Sequence, residues 1–361
     1  MFIGPIRNFY GRFERPISSL SLVLGFVFDA LTLKRVDTFW ENLWVIGHIL
    51  IVGVFIILIH LRERGLGDEK NPAKAHFWYV NILQFFFGGL LSTYLVFYFR
   101  SADVFVTWPF ILLLTFAFIA NESFKKHYVR FSFQISLFFL SVYSFFIFFI
   151  PIVFHKIGDW IFLLSGVLSL IFIGVFIFSV FHLAEEKFTE SKRMVLLPII
   201  GIFIIVNFLY FTNLIPPIPL SLKDAGVYHY IQKRSDGNYN VVYESHGWRD
   251  NFKFYEDFRQ SPESPVYAYS AVFSPRGLNI TIVHEWQHYD EQGKKWITER
   301  EINLPVVGGR DGGFRTYSMR TNISAGKWRV NIKTQDGKTI GRLRFNIVPS
   351  LIAPGLKSEV K

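Results

Sequence analysis

Two histidines and a glutamate lie close together in the C-terminal half of the chain, in the run His284-Glu285-Trp-Gln-His288. This run fits the H-E-x-x-H pattern of zinc peptidases, in which a helix brings both histidines to one metal. On a strand, at about 3.3 Å per residue, the two histidines lie roughly 13 Å apart. Zinc–nitrogen bonds of about 2.1 Å do not span that distance. Apolar and polar residues alternate from Ile280 onward, which indicates a strand. We therefore predict no metal here; a metal-dependent hydrolase using these three residues is the alternative.

A glycine-rich loop with two arginines follows, from Gly308 to Arg315. Such a loop can present backbone N–H groups to an anion, and Arg310 and Arg315 would add charge-assisted contacts. The alternative is a sharp loop between strands whose glycines adopt unusual dihedral angles and whose arginines pair with Asp311 or Glu301. The pattern of a nucleotide-binding P-loop is missing, so a nucleotide is not indicated.

Aromatic residues crowd the stretch 247–258. The spacing of Trp248, Phe252, Tyr255 and Phe258 predicts one face of a short helix that packs on the domain or lies at a membrane surface. An aromatic platform for a carbohydrate is the functional alternative. Trp248 therefore joins Arg310 and Arg315 as a candidate ligand-binding residue.

Composition divides the chain into two halves. The 361 residues are 51% hydrophobic and include 42 Phe, and this apolar excess is concentrated before the proline-rich segment 213–219. The net charge of +10 could indicate that the chain binds nucleic acid. However, residues 1–215 carry 17 Lys/Arg against 13 acidic residues, and residues 216–361 carry 21 against 15, so each half is only mildly basic. We predict no nucleic-acid partner. Cysteine is missing, which excludes disulfides and thiolate sites, and no cofactor is indicated.

Seven apolar runs approach the roughly 20 residues that a membrane-spanning helix needs. They lie near residues 18–33, 43–61, 77–98, 103–120, 131–154, 158–181 and 195–215. The N-terminal segment and alternate loops hold 13 Lys/Arg, and the intervening loops hold 4. Because cytoplasmic loops are enriched in Lys/Arg, this bias predicts seven spans with a cytoplasmic N-terminus and residues 216–361 outside. The few polar residues of the spans, such as Asp29, His48 and His60, are interpreted as structural anchors; a transporter or channel is the alternative.

The exported half shows the two-residue alternation of strands. Trp328 and alternate residues after it are apolar, Arg329 and its alternates are polar, and Asp336-Gly337 is a hairpin turn signal. This pattern predicts a hairpin that places Trp328 on the inward face beside Phe345 and Arg329 on the solvated face. Further short strands, separated by turn signals, predict a two-sheet sandwich or barrel.

An ordered series of motifs in the C-terminal half resembles those of a known protein family. The motifs are Tyr267–Leu278, His284–Trp286, Gly308–Arg310, Gly313–Ser318, Gly326–Val330, Asp336–Gly337 and Gly341–Phe345. Together, over roughly residues 265–348, they resemble the bacterial domain-of-unknown-function family numbered 2914, which often closes a multi-span membrane protein. The resemblance implies a membrane-anchored, periplasmic, immunoglobulin-like sandwich and supplies no catalytic residue.

These observations predict an α-helical transmembrane bundle followed by an all-β, immunoglobulin-like sandwich. The predicted parts are a bundle over 1–215, a lead-in over 216–264, a periplasmic sandwich over 265–350 and a tail over 351–361. The expected function is that of a non-enzymatic protein of the bacterial inner membrane. Its partners are the lipid bilayer and an envelope protein or glycan that the periplasmic domain binds.

Overall fold

The computed structural model describes residues 24–33, 35, 37–63, 72–101, 104–123, 130–183, 192–244, 255–261, 264–350 and 355–361. The chain divides into a helical unit that ends at Ile218 and a β unit that runs from Pro219 to Lys361.

The described part of the helical unit contains seven helices. They are α1 (24–32), α2 (Phe39–Glu63), α3 (Pro72–Ser101), α4 (Val104–Ser123), α5 (Phe131–Phe154), α6 (Asp159–Leu183) and α7 (Lys192–Phe211). Five stretches of the described chain are long and apolar enough to cross a membrane: Phe39–Leu61, Trp78–Phe99, Phe131–Phe154, Asp159–Leu183 and Lys192–Phe211. A shorter apolar stretch lies at Trp108–Ile119. Thus several helices suit a membrane, as the sequence predicts, while the count of seven spans stays a prediction.

Helix α5 is the centre of the helical unit. It packs against α2, α6 and α7, and aromatic residues such as Phe138, Phe139 and Tyr143 are almost fully buried along it. Polar side chains join helices inside this packing. The Nε2 atom of His60 lies 3.0 Å from Oε1 of Gln134, which links α2 to α5, and the Asn207 amide donates to the Tyr143 hydroxyl at 3.1 Å. His60, Gln134, Tyr143 and Asn207 therefore make contacts between helices, and for His60 this supports the interpretation as a structural anchor.

The described residues of the β unit form eleven strands. They are β1 (Ser221–Tyr228), β2 (Tyr230–Lys233), β3 (Tyr239–Glu244), β4 (Glu256–Gln260), β5 (Val266–Phe273), β6 (Ile280–Asp290), β7 (Lys295–Val306), β8 (Phe314–Arg320), β9 (Gly326–Thr334), β10 (Thr339–Pro349) and β11 (Leu356–Val360). They form a central sheet in the order β1-β5-β8, a large sheet in the order β4-β10-β9-β6-β7, and a small sheet in the order β11-β3-β2.

Strand β5 faces two hydrophobic cores because all eight of its residues are buried. Val266 and Ala268 join the core shared with the large sheet. Tyr267, Tyr269 and Ala271 join the tyrosine-rich core shared with the small sheet. In its described residues the β unit is therefore built from three sheets with two cores, whereas the sequence predicts two sheets. A strand buried on both faces has no apolar–polar alternation that would reveal its central place.

The hairpin of β9 and β10 agrees with the predicted register. Trp328 pairs with Phe345 across the two strands, and their exposed fractions are 2% and 0%. The turn is closed by the Gly337 N–H, which donates to the Thr334 carbonyl at 3.0 Å. Gly337 has φ of 80°, in the left-handed region that glycine adopts without strain.

The prediction of a helix over 247–258 is wrong where the structure describes this stretch. Residues Glu256–Gln260 form β4, which pairs in parallel with β10, and Phe258 is buried in the core beneath the large sheet. The carboxylate of Glu244 holds this strand, since it accepts hydrogen bonds from the Arg259 backbone N–H at 2.5 Å and from Nη1 of Arg259 at 3.0 Å. Trp248, the predicted ligand-binding residue of this stretch, lies outside the described residues.

Strand pairing also crosses the predicted domain limits. Strands β1 and β4, from the lead-in, pair with β5 and β10. Strand β11, in the segment predicted as a tail, pairs with β3 over Leu356–Val360.

Candidate functional site

The two histidines of the H-E-x-x-H run lie on strand β6, as the alternation predicts. His284 and His288 are separated by Trp286, whose side chain is fully buried in the core. His288 pairs with Trp328 of β9, and their rings lie 4.8 Å apart. Glu285 points to the opposite face of the strand, where it contacts Lys333. The three residues therefore occupy two faces of a sheet.

His284 is the centre of a buried polar cluster. Its Nε2 atom lies 2.8 Å from the Ser270 hydroxyl, and its Nδ1 atom lies 2.9 Å from the Ser318 hydroxyl. Ser318 also accepts a hydrogen bond from the Trp286 indole at 3.0 Å. His284 is 0% exposed, and burial lowers its pKa to about 3. Both ring nitrogens thus serve bonds within the protein, and the imidazole is neutral at physiological pH.

Chelation is expected to leave the thermal unfolding midpoint of the full chain in detergent unchanged, because His284 uses both ring nitrogens inside the core. The measurement compares unfolding with and without EDTA and determines zinc content by mass spectrometry. His288→Ala serves as the matched variant, since His288 is the second histidine of the motif. One zinc per chain that disappears in His288→Ala would contradict the expectation and restore the metal-dependent hydrolase.

The glycine-rich loop connects β7 to β8 and turns sharply. Gly309 and Gly313 have φ of 102° and 81°, and a Cβ at Gly313 would meet the Ala271 backbone at 2.8 Å. Glycine is therefore required for the path of the chain. Arg315 donates from Nη1 to the Asn238 side chain at 2.6 Å, a partner in the turn before β3. Arg310 is exposed. Arg315 thus contacts Asn238, while the pairing of the two arginines with Asp311 or Glu301 stays a prediction.

A polar network covers the outer face of the large sheet, which is the face turned away from Trp286 and Trp328. Asn331 donates to Glu285 at 2.6 Å and to Gln287 at 3.1 Å. Lys333 lies 2.5 Å from the Glu285 carboxylate. Arg342 donates from Nε to the side-chain amide oxygen Oδ1 of Asn331 at 2.5 Å. Side chains of β6, β9 and β10 are therefore joined across three neighbouring strands.

Arg329 lies within this network and is partly buried. Its Nε atom donates to Gln287 at 2.6 Å, and its guanidinium lies 4.2 Å from the centre of the Trp296 ring. Burial, and then the charge of Arg342, lowers the pKa of Arg329 to about 10. The sequence correctly places Arg329 on the face opposite Trp328, but this face is ordered by contacts and not simply solvated.

Glu285 is the buried carboxylate of the network. Burial alone raises its pKa, but the hydrogen bonds from Lys333 and Asn331 outweigh burial and lower it. Glu285 is thus held as an anion below cationic side chains. The polar alternation of β9 and β10 is visible in the sequence. The network could not be predicted, because strand pairing brings residues of β9 together with residues of β6 and β7 that lie 30 or more positions away in the chain.

One family model matches the chain, within the β unit. Residues 279–347 match the family described as "Protein of unknown function (DUF2914)". The DUF2914 match confirms the resemblance and covers about a fifth of the chain. It contains strands β6 to β9 and all but the last two residues of β10. It therefore includes the hairpin, most of the outer face, and His284 and Ser318 of the buried cluster, whereas Ser270 precedes the matched segment. It supplies no activity.

Comparison with curated proteins and solved structures adds no function to the DUF2914 match. No curated protein sequence matches the chain. Among solved structures, the Pseudomonas fluorescens alkylpurine DNA glycosylase AlkC bound to DNA containing an abasic site analog aligns with 6% identity and a TM-score of 0.20. That alignment covers 87% of this chain and 99% of the glycosylase chain. At this TM-score the likeness carries no argument.

Proposed function

We propose that the chain is a non-enzymatic protein of the bacterial inner membrane whose β unit binds an envelope protein or glycan in the periplasm. The observation that carries this proposal is the outer face of the large sheet. Its side chains are polar, cationic or aromatic and are joined by hydrogen bonds across three strands. Arginine and aromatic side chains are enriched at protein interfaces, and guanidinium groups form strong charge-assisted hydrogen bonds with anionic partners. The helical unit supplies the membrane anchor.

Seven spans and an outward β unit form part of the same proposal. The 13-to-4 distribution of Lys/Arg between alternate loops supports it. A second feature agrees with it: Trp40, Trp108 and Trp160 lie near the starts of α2, α4 and α6 and are 75%, 54% and 85% exposed. In a seven-span arrangement these three starts share one membrane surface, where tryptophan side chains are favoured.

The immunoglobulin-like sandwich also belongs to the proposal. The central and large sheets enclose one core in which Trp286, Trp328 and Phe345 are buried. Two sheets packed over a tryptophan-containing core are the arrangement typical of that fold. The small sheet is an addition on the other side of the central sheet.

A reporter enzyme that is active only in the periplasm is expected to work when fused after Pro219. It is expected to fail when fused within 62–76, 121–130 or 182–193, because the Lys/Arg bias keeps these loops in the cytoplasm. The measurement is reporter activity in whole cells, normalised to fusion-protein level. Activity in any of the three loops, or silence after Pro219, would overturn the seven-span topology.

Binding by the outer face is tested by cross-linking from defined positions in living cells. A photoreactive residue replaces Lys327, which is exposed on the outer face, or Gln335, which is exposed in the hairpin turn. Adducts of higher mass are expected from position 327 and not from position 335. Equal adduct patterns at both positions, or none at 327, would contradict recognition through this face.

A further inference from the structure

Strand β11 lies at an edge of the small sheet. It pairs with β3 on one side, and among the described residues no strand pairs with its other side. All five of its residues are exposed, including the apolar Leu356 and Val360, which are each 48% exposed. An exposed edge strand presents unpaired backbone N–H and C=O groups, so it can pair with a strand of another chain.

The ladder with β3 determines which backbone groups of β11 face this free edge. Lys361 exchanges two backbone hydrogen bonds with Tyr239, at 2.8 Å and 2.9 Å. Since bonded and non-bonded residue pairs alternate along an antiparallel ladder, Lys357 and Glu359 also direct their N–H and C=O groups towards β3. The residues whose backbone groups face the free edge are Leu356, Ser358 and Val360. A further strand can therefore bond to β11 without disturbing its ladder with β3.

The side chains of β11 are complementary to a second, antiparallel copy of the same strand. When Ser358 lies opposite Ser358 of the second copy, Lys357 lies opposite Glu359, and Leu356 lies opposite Val360. Opposite charges and apolar pairs at such positions stabilise an antiparallel pair, whereas like charges destabilise it. The same register sets outward-facing residues opposite one another, as the backbone hydrogen bonds require.

The charge pattern distinguishes this register from the others. Centring the pair on Lys357 sets that lysine opposite itself, and centring it on Glu359 sets that glutamate opposite itself. Centring it on Leu356 or Val360 leaves most of the strand unpaired. Only the register centred on Ser358 pairs all five residues of β11 and sets opposite charges together.

The two charged side chains are accessible to a second copy. Lys357 is exposed, and the side chain of Glu359 is 50% exposed. Within the chain, Glu359 lies 3.8 Å from Nζ of Lys361, which lies closer to Asp224, at 3.0 Å. The Glu359 carboxylate therefore keeps surface that can face Lys357 of the second copy.

Other sheet edges carry features that oppose pairing. Strand β7 contains Pro305 and a bulge at which Glu299 is the extra residue. On β4, the backbone N–H of Arg259 is already bonded to the Glu244 carboxylate. Prolines, bulges and covered edges prevent the addition of a strand. Strand β11 contains no proline, and its ladder with β3 has no register shift.

We propose that two copies of the chain associate through their β11 strands, which pair antiparallel about a two-fold axis at Ser358. The two small sheets then form one sheet in the order β2-β3-β11-β11-β3-β2. A contact of this kind uses the same surface on both copies and closes on itself, so it produces a dimer and not a fibre. Charged residues on an edge commonly block pairing, but the alternation of Lys357 and Glu359 admits a strand with the same pattern. This self-association goes beyond the proposed function, because the outer face of the large sheet takes no part in it.

The first test introduces one cysteine into the full chain, which contains none. Ser358→Cys is expected to form a disulfide-linked dimer in native membranes treated with copper phenanthroline. Residues that exchange hydrogen bonds across an antiparallel pair have Cα atoms about 5.5 Å apart, which suits a disulfide. Ser235→Cys is the matched control, since Ser235 is exposed in the turn between β2 and β3. We expect at least about fivefold less dimer from it, because its copies are not held at disulfide distance.

Charge inversion in the Ser358→Cys chain tests the register. Lys357→Glu sets two glutamates opposite each other, and Glu359→Lys sets two lysines opposite each other. Each single inversion is expected to slow disulfide formation about 10-fold, because both cross-strand pairs of the dimer become repulsive. The double inversion restores opposite charges, and we expect its rate to lie within about twofold of the Ser358→Cys rate.

A proline tests the backbone contact independently of oxidation. Ser358→Pro removes an N–H that faces the free edge, so β11 keeps its ladder with β3 but loses hydrogen bonds to the second copy. Chains that carry Ser235→Cys are labelled there with donor or acceptor dye and mixed in liposomes. We expect energy transfer between copies, and Ser358→Pro is expected to lower it at least about fivefold, since it removes the central hydrogen bonds. An unchanged near-UV circular dichroism spectrum verifies the fold of each variant.

Any of three results would overturn the inference. They are equal dimer yields from Ser358→Cys and Ser235→Cys, a double inversion that reacts as slowly as the single inversions, and energy transfer that Ser358→Pro leaves unchanged. Cross-links from position 327 report on the large sheet, so the proposed function is tested separately.

Discussion

Trp328→Ala is expected to lower the free energy of unfolding of the β unit by about 3–5 kcal/mol. Trp328 is 2% exposed, packs in the core shared by the central and large sheets, and donates from its indole to the Ser324 carbonyl at 2.8 Å. A domain commonly has only about 5–15 kcal/mol of stability in total, so the variant is expected to be marginally folded. The measurement is urea unfolding of the full chain in detergent, followed by pulse proteolysis of the β unit.

Two substitutions on the same strand serve as controls for Trp328→Ala. Lys327 is exposed, and Lys327→Ala is expected to change stability by less than about 0.5 kcal/mol. Arg329→Ala removes a hydrogen bond to Gln287 and the stacking on Trp296, and we expect a cost of about 1 kcal/mol. The sequence alone predicts a smaller effect for Arg329, because the alternation marks its face as solvated. If Arg329→Ala proved more damaging than Trp328→Ala, the register of β9 would be wrong.

Acidification is expected to destabilise the β unit through His284. Burial lowers the pKa of His284 to about 3, whereas an unfolded histidine titrates near about 6.5. At pH 5 the unfolded chain therefore binds a proton that the native cluster does not bind, so stability falls as the pH falls. This single group is expected to remove about 2 kcal/mol between pH 7.5 and pH 5, with a slope that approaches about 1.4 kcal/mol per pH unit. The loss continues until the pH nears the native pKa.

The variant His284→Gln separates this effect from other titrations. Glutamine keeps a polar side chain between Ser270 and Ser318 but cannot be protonated in this range. His229 also has a lowered pKa, mainly through burial, and it adds a slope of the same sign in both proteins. The measurement is the difference between the urea midpoints of the two proteins from pH 7.5 to pH 4.5. An identical pH dependence in His284→Gln would contradict a lowered pKa of His284 in the folded protein.

Local sequence signals were sufficient where the partner is a neighbour in the chain. The hairpin of β9 and β10 follows from an Asp-Gly turn and two alternating segments, so its register and the inward position of Trp328 were predictable. The strand at His284 followed from the same alternation. The matched DUF2914 segment, residues 279–347, is also the part in which the sequence carries its ordered motifs.

Long-range pairing was not accessible in this way. Strand β4 reads as a helical face in the sequence and becomes a strand because it pairs with β10, almost 90 residues later. The partners of His284, which are Ser270 and Ser318, come from β5 and β8 of the central sheet, whereas His284 lies on β6 of the large sheet. The outer-face network has the same origin. For such features the amino-acid types are visible, but the strand order that brings them together is not.

The small sheet can be completed only late in protein synthesis, because its strands lie far apart in the chain. Strand β3 ends at Glu244, and its partner Leu356 is made 112 residues later. While the chain is being translated, β3 and its neighbour β2 are thus present long before β11 leaves the ribosome. Strand β4 is likewise synthesised before its partner β10. Late-completed sheets leave strand edges unpaired during growth, and unpaired edges favour aggregation. Cells that produce this chain are therefore expected to depend on chaperones that shield the nascent β unit until its last strands emerge.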